Sequence, residues 1–232
     1  MKALIYKEMR LSMHPLCYIF IALFPLMILI PSYPLGIGFI YVLTCYPILF
    51  LGANKGQQSN DLLYSTLLPV RKKDIVMARI FTVIFMQVAF MLIMSALYPV
   101  ARIINDAIVA NSENPKEHVI PGLGLNSYVL VLAFAIIGYA IADIIFFPIY
   151  YKNGKSIVMS TLFTILGFAV YLMVFTVAIP FIPGGGEWYI KVLCYSGLGI
   201  QFAILGVVLA LYTLIHFLVY KISSKELEKV DF

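Results

Sequence analysis

Asp143 has the clearest chemical potential in this 232-residue chain, because it is the one acidic residue set well inside a long apolar stretch. A carboxylate at membrane depth is costly, and it either handles a proton or cation or pairs with a basic group. Its stretch ends near Tyr150, about two helical turns further on, so pairing at the polar boundary competes with ion handling. His216 lies in another apolar stretch and fits a hydrogen-bonded, helix-packing role, since no second and third ligand accompany it. His14 and His118 fall in connectors. Cys17, Cys45 and Cys194 sit in apolar runs without C-x-x-C spacing, which indicates neither zinc nor a disulfide framework.

Nucleotide and hydrolytic chemistry find little support in the residue pattern. Gly154-Lys155-Ser156 looks like the end of a P-loop, but that motif needs a glycine five residues before Gly154, where Ile149 stands. No Walker sequence occurs anywhere, so no cofactor is expected in this chain, and ATP and Mg would have to be held by a partner subunit. Ser, His and Asp form no activated-nucleophile constellation, and no H-E-x-x-H or paired carboxylate set lies in an apolar stretch. The chain is therefore not expected to be an enzyme.

The elements that must position these residues follow from composition. Hydrophobic residues make up 62% and charged residues 12% of the chain, and the mean hydropathy is +0.99. A soluble domain carries about a quarter of charged residues, so the expected class is an all-α polytopic membrane protein, a single transmembrane domain over 1–232. At roughly 20 residues per span there is room for about six helices. The net charge of +5 suits anionic lipid rather than nucleic acid, because the basic residues flank apolar runs.

Residues 1–14 read as an interfacial helix, with Ile5, Met9 and Met13 on one side and Lys7 and Arg10 on the other. The run that follows is too long for a signal-peptide core and lacks an A-x-A site, which makes it a retained span. Turn chemistry at Pro31-Ser32-Tyr33-Pro34 divides the uncharged region into spans 16–33 and 35–53. Further spans are expected at 75–100, 125–150, 157–179 and 192–220, with a polar loop from Asn105 to Gly122, a Gly-rich turn at Gly184-Gly185-Gly186 and a charged tail at 221–232.

Between the second and third spans lies an unusual connector. Asn60 or Asp61 can cap a short helix over 60–68, Leu62, Leu63, Thr66 and Leu67 gather on one face, and Pro69 ends it before the basic run Arg71-Lys72-Lys73. From Asp61 to Arg79 the residues resemble the signature of type-2 ATP-binding-cassette export permeases. There an acidic residue, a Leu-rich turn, Leu-Pro-Val, a basic run and Ile-Val recur together. Arg79 stands where a lysine is often seen in that family, and the Asn105–Gly122 loop is longer than usual.

The resemblance implies a type-2 exporter permease fold of six transmembrane helices. It also implies that 60–68 is a coupling helix, with Asp61, Leu62, Leu63, Tyr64, Thr66, Leu67, Leu68, Arg71, Lys72 and Lys73 meeting two copies of a separate ATPase. A second permease copy or a paralogue would complete the unit. The second and fifth spans would line its cavity, bringing Tyr41, Tyr46, Phe50, Phe163, Phe168, Tyr171 and Phe175 toward an amphipathic substrate, with antimicrobial or cytolytic peptides as the implied class.

Orientation follows separately from charge. Lys2, Lys7, Arg10, Lys55, Arg71, Lys72, Lys73, Lys152, Lys155, Lys221, Lys225 and Lys229 fall on one side, against Arg102, Lys116 and Lys191 on the other. The positive-inside rule then places both termini and the coupling segment in the cytoplasm of a cell-membrane protein. Arg79 is expected to snorkel to that side. Two other classes remain open from the residues: an ion-coupled transporter using Asp143, and a non-transporting interaction or immunity protein.

Overall fold

The computed structural model describes residues 2–12, 15–30, 65, 67, 69–111, 128–153, 157–174, 181–187 and 197–229, and these are almost entirely helical. The expected span 35–53 lies outside the described residues. The elements run α1 (Lys2–Lys7), a π-helical turn (Glu8–Ser12), α2 (Pro15–Leu23) continued by a 3-10 segment (Phe24–Leu29), α3 (Lys72–Ala110), α4 (Tyr128–Asn153), α5 (Ile157–Met173) and α6 (Leu198–Lys229). Among the described residues α3, α4 and α6 are long and apolar enough to cross a membrane, while Cys17–Leu29 and Val158–Met173 are shorter apolar helices.

Helix direction follows from which ends meet. Lys73 near the start of α3 pairs with Glu228 near the end of α6 at 3.3 Å, and Arg79 on α3 meets Tyr150 near the end of α4. The start of α3 and the ends of α4 and α6 thus share one pole of the bundle, the basic end. α3 runs away from it, whereas α4 and α6 run toward it in parallel.

α4 is the central helix, packed against α6 along its length and against α5 on another side. Its buried positions include Ala133, Ala135, Ala140 and Ala142; small residues let apolar helices approach where lipid offers no competing hydrophobic drive. Two apolar clusters result. At the basic end Cys17, Val76, Ile80, Val83, Phe146, Phe147, Tyr151, Val219 and Leu227 pack together. At the far end Ile28, Phe90, Met94, Ile136, Tyr139, Val208 and Tyr212 do so.

Two helices continue past the limits expected of their spans. α3 keeps its helical course through Pro99 to Ala110, about 58 Å of helix against a hydrocarbon core of about 30 Å. Residues Asn105 to Ala110 are therefore helical rather than part of a loop. α6 runs nine residues past Tyr220 because that extension has a packed face: Leu227 is fully buried, and Ser223 and Ser224 are buried beside it. In the Gly-rich turn, Gly184 takes φ +79, a left-handed conformation open to glycine without a Cβ penalty.

Candidate functional site: two buried polar clusters

Two groups of polar side chains interrupt the apolar packing. The first stands at the basic end. The π-helical turn directs Glu8 inward, where its Oε2 accepts a hydrogen bond from Arg79 Nε at 2.8 Å. Arg79 Nη1 donates to Tyr150 Oη at 2.9 Å. Both charged side chains are sealed, at 2% and 1% exposure. Arg79 therefore does not snorkel to the boundary: a counter-charge comes to it from the N-terminal segment. Its planar fork reaches a carboxylate and a phenol together, which a lysine ammonium on a flexible stem does less well.

The same cluster reaches the connector. Lys7 Nζ lies 3.5 Å from Glu8 Oε1 and donates to Ser65 Oγ, and Ser65 is buried. A chain of polar contacts thus passes from Ser65 through Lys7 and Glu8 to Arg79 and Tyr150, joining Ser65 of the connector to the N-terminal helix, α3 and α4. Tyr18 Oη donates to the Met9 carbonyl, fixing α2 to the π-helical turn.

The second cluster lies in mid-bundle, at the junction of the two apolar clusters. Asp143 on α4 does not reach the polar boundary. Its Oδ2 accepts from Gln87 Nε2 on α3 at 2.9 Å and stands 3.0 Å from His216 Nε2 on α6. Gln87 Oε1 accepts from Tyr212 Oη at 2.5 Å, and His216 Nδ1 meets the Tyr212 carbonyl at 2.9 Å. Asp143, Gln87, Tyr212 and His216 are all buried. The four side chains tie the three longest helices together, as buried polar groups in a bundle require of one another.

The expected interaction residues are distributed as follows. Asp61, Leu62, Leu63, Tyr64, Thr66 and Leu68 lie outside the described residues, as do Tyr41, Tyr46, Phe50 and Phe175. Leu67 is 75% exposed and Arg71 is exposed; Lys72 is half-buried, and Lys73 is engaged by Glu228. Phe168 and Tyr171 touch with ring centroids 5.7 Å apart and pack toward α4, where Tyr171 Oη donates to the Phe134 carbonyl at 2.8 Å. Phe163 faces outward instead, at 48% exposure, so these three aromatics do not share one surface. Gly167 brings α5 close to α4: a Cβ there would lie 2.3 Å from Ile145 Cδ1.

Glu8, Ser65, Gln87 and Tyr212 were not singled out by residue pattern. Two of them carried a signal. Glu8 is the one acidic residue before Asp61, and Gln87 is an amide in an otherwise apolar run. Among the described residues no group of three or more His, Cys, Asp or Glu could hold a metal ion. No protein-family model, curated protein or solved structure matches this chain.

Proposed function

We propose that the chain is the membrane-embedded permease subunit of an ATP-driven exporter of the type-2 class, working with a separate ATPase. The observation that carries this proposal is the tethering of Ser65, inside the connector expected to couple, to the bundle through Lys7, Glu8 and Arg79. A segment that receives force from a partner must be fastened to the helices it moves, and a charge-assisted chain centred on the buried Glu8–Arg79 pair is a stiff fastening. Exposed Leu67 and Arg71 beside it support a docking surface.

Two copies, or one copy and a paralogue, pair in the membrane above two ATPase subunits, which hold ATP and Mg. Closure of the ATPases on nucleotide pushes the two coupling segments together and exchanges inward for outward access. The substrate is amphipathic, an antimicrobial or cytolytic peptide. These particulars rest on the resemblance over Asp61 to Arg79.

The test is affinity purification of the tagged chain from detergent extracts. An ATPase should co-purify with the parent. The double change Leu63→Ala with Leu67→Ala should release it while leaving permease abundance unchanged, since apolar anchors at an interface contribute about 1–3 kcal/mol each when fully desolvated. An ATPase retained in full by the double variant would remove the coupling role of 60–68.

A further inference from the structure

We infer that Asp143 and His216 form a proton-binding site in which one proton, shared between Asp143 Oδ2 and His216 Nε2, joins α4 to α6 and is released when the two helices separate.

Hydrogen-bond bookkeeping requires the proton. The Tyr212 carbonyl can only accept, so His216 Nδ1, 2.9 Å away, carries a hydrogen and donates it. If that were the only proton on the ring, the Nε2 lone pair would face a carboxylate oxygen at 3.0 Å. Two acceptors at that distance repel, and the carboxylate would stand ionised in a sealed apolar site. A proton between Nε2 and Oδ2 removes both penalties, whichever atom holds it. The imidazolium–carboxylate and imidazole–carboxylic acid forms carry the same zero net charge. Gln87 Nε2 donates to the same Oδ2, and Tyr212 Oη donates to Gln87 Oε1, so each of these contacts has a donor and an acceptor.

The other groups facing the pair leave this count unchanged. On α3 they are Gln87 and, two turns toward the basic end, Arg79, whose charge is neutralised by Glu8. α4 adds Tyr139, one turn from Asp143 and fully buried, and α6 adds Tyr212. The Phe24–Leu29 segment is apolar, α2 adds Cys17, packed in the cluster with Phe146 and Phe147, and α5 carries no charged side chain, its Tyr171 being turned to the Phe134 carbonyl.

Linkage gives the sign. Packed, the pair holds one proton. Separated and hydrated, aspartate protonates only below about pH 4 and histidine below about pH 6.5. Between those values the separated groups also hold one proton, so separation is independent of pH. Above about pH 6.5 they hold none, separation releases a proton, and its equilibrium constant rises up to tenfold per pH unit. At pH 7 about three-quarters of a proton is released. Below about pH 4 the separated groups hold two, and acid favours separation. The site depends on no ATPase and stands apart from the export proposal.

Asp143→Asn inverts this behaviour. An amide at 143 can donate to His216 Nε2 and to Gln87 Oε1 once the Gln87 amide turns over, leaving Gln87 Nε2 to donate to Tyr212 Oη. The packed variant then needs no shared proton, whereas its separated histidine gains one below about pH 6.5. Acid should destabilise the variant in the range where the parent is flat, and alkali should leave it flat where the parent weakens.

The experiment uses the full chain in lipid nanodiscs. With 15N-labelled histidine, and His216 assigned by its loss in His216→Gln, the parent resonance should show a hydrogen-bonded Nε2 unchanged from pH 5.5 to 8. Thermal unfolding over pH 5 to 8.5 should show the parent flat up to about pH 6.5 and weakening above it, and Asp143→Asn gaining stability up to about pH 6.5 and flat above it. A His216 that titrates near pH 6.5, or an unbonded Nε2 at pH 8, overturns the proposal. So do parallel pH profiles for parent and variant. Should Asp143→Asn fail to fold, the parent resonance decides alone.

Discussion

Removing Glu8 should cost far more than a residue of an N-terminal helix ordinarily does. Arg79 Nε lies 2.8 Å from Glu8 Oε2, with both side chains sealed. At an effective dielectric constant near 20, a unit charge pair at that separation attracts by about 6 kcal/mol. Most of that attraction offsets the cost of taking two ions out of water, so the pair itself adds little net stability. Deleting one partner leaves the other ion buried and uncompensated, which costs about 3–5 kcal/mol. Glu8→Ala and Arg79→Met should each lose about that much. The double variant, which removes both charges and orphans neither, should lose no more than either single variant, giving a coupling energy of at least about 3 kcal/mol. Reversible unfolding in mixed micelles by titration with SDS measures all four corners of the cycle. Single losses below about 0.5 kcal/mol, the range of ordinary surface substitutions, or strictly additive losses, would refute a buried Glu8–Arg79 pair.

Three further outcomes follow from the same geometry. In a background without Cys17, Cys45 and Cys194, a cysteine at Asn111 should react with an impermeant thiol reagent in intact cells and one at Asn153 should not. The reverse pattern would invert the orientation and remove the coupling segment from the side where ATP is found. Tyr171→Phe should weaken the bundle by about 0.5–1.5 kcal/mol through loss of the bond to the Phe134 carbonyl; an unchanged SDS midpoint would show that water replaces that donor. The release of the ATPase by Leu63→Ala with Leu67→Ala, read by pull-down, completes the set.

Membrane character was legible in the residues because it depends on composition and on unbroken apolar length, and neither needs a partner to be recognised. Helix α4 begins and ends within three residues of the apolar stretch 125–150, and α5 begins with the stretch 157–179, whose last residues lie outside the described ones. Helix ends were less legible. α6 passes beyond its apolar stretch because packing continues there, through the Lys73–Glu228 pair and buried Leu227, and hydropathy does not register packing; α3 runs on to Ala110 with Ala101 buried and Ile103 exposed.

The ionisable residues divide in the same way. Residue pattern alone marked Asp143 and His216 as polar groups in apolar surroundings, and marked His216 as hydrogen-bonded, but they stand 73 positions apart and nothing local joins them. Only the parallel packing of α4 and α6, with α3 alongside, brings Oδ2 to Nε2 and supplies Gln87 and Tyr212. Arg79 is the sharper case. As a sequence position it is a basic residue near the boundary of a span, for which reaching toward water is the inexpensive solution. The tertiary structure instead brings Glu8 across 71 positions to meet it. An ion-pair partner is chosen by distance in space and by the exclusion of water, and a linear chain specifies neither until its helices have packed.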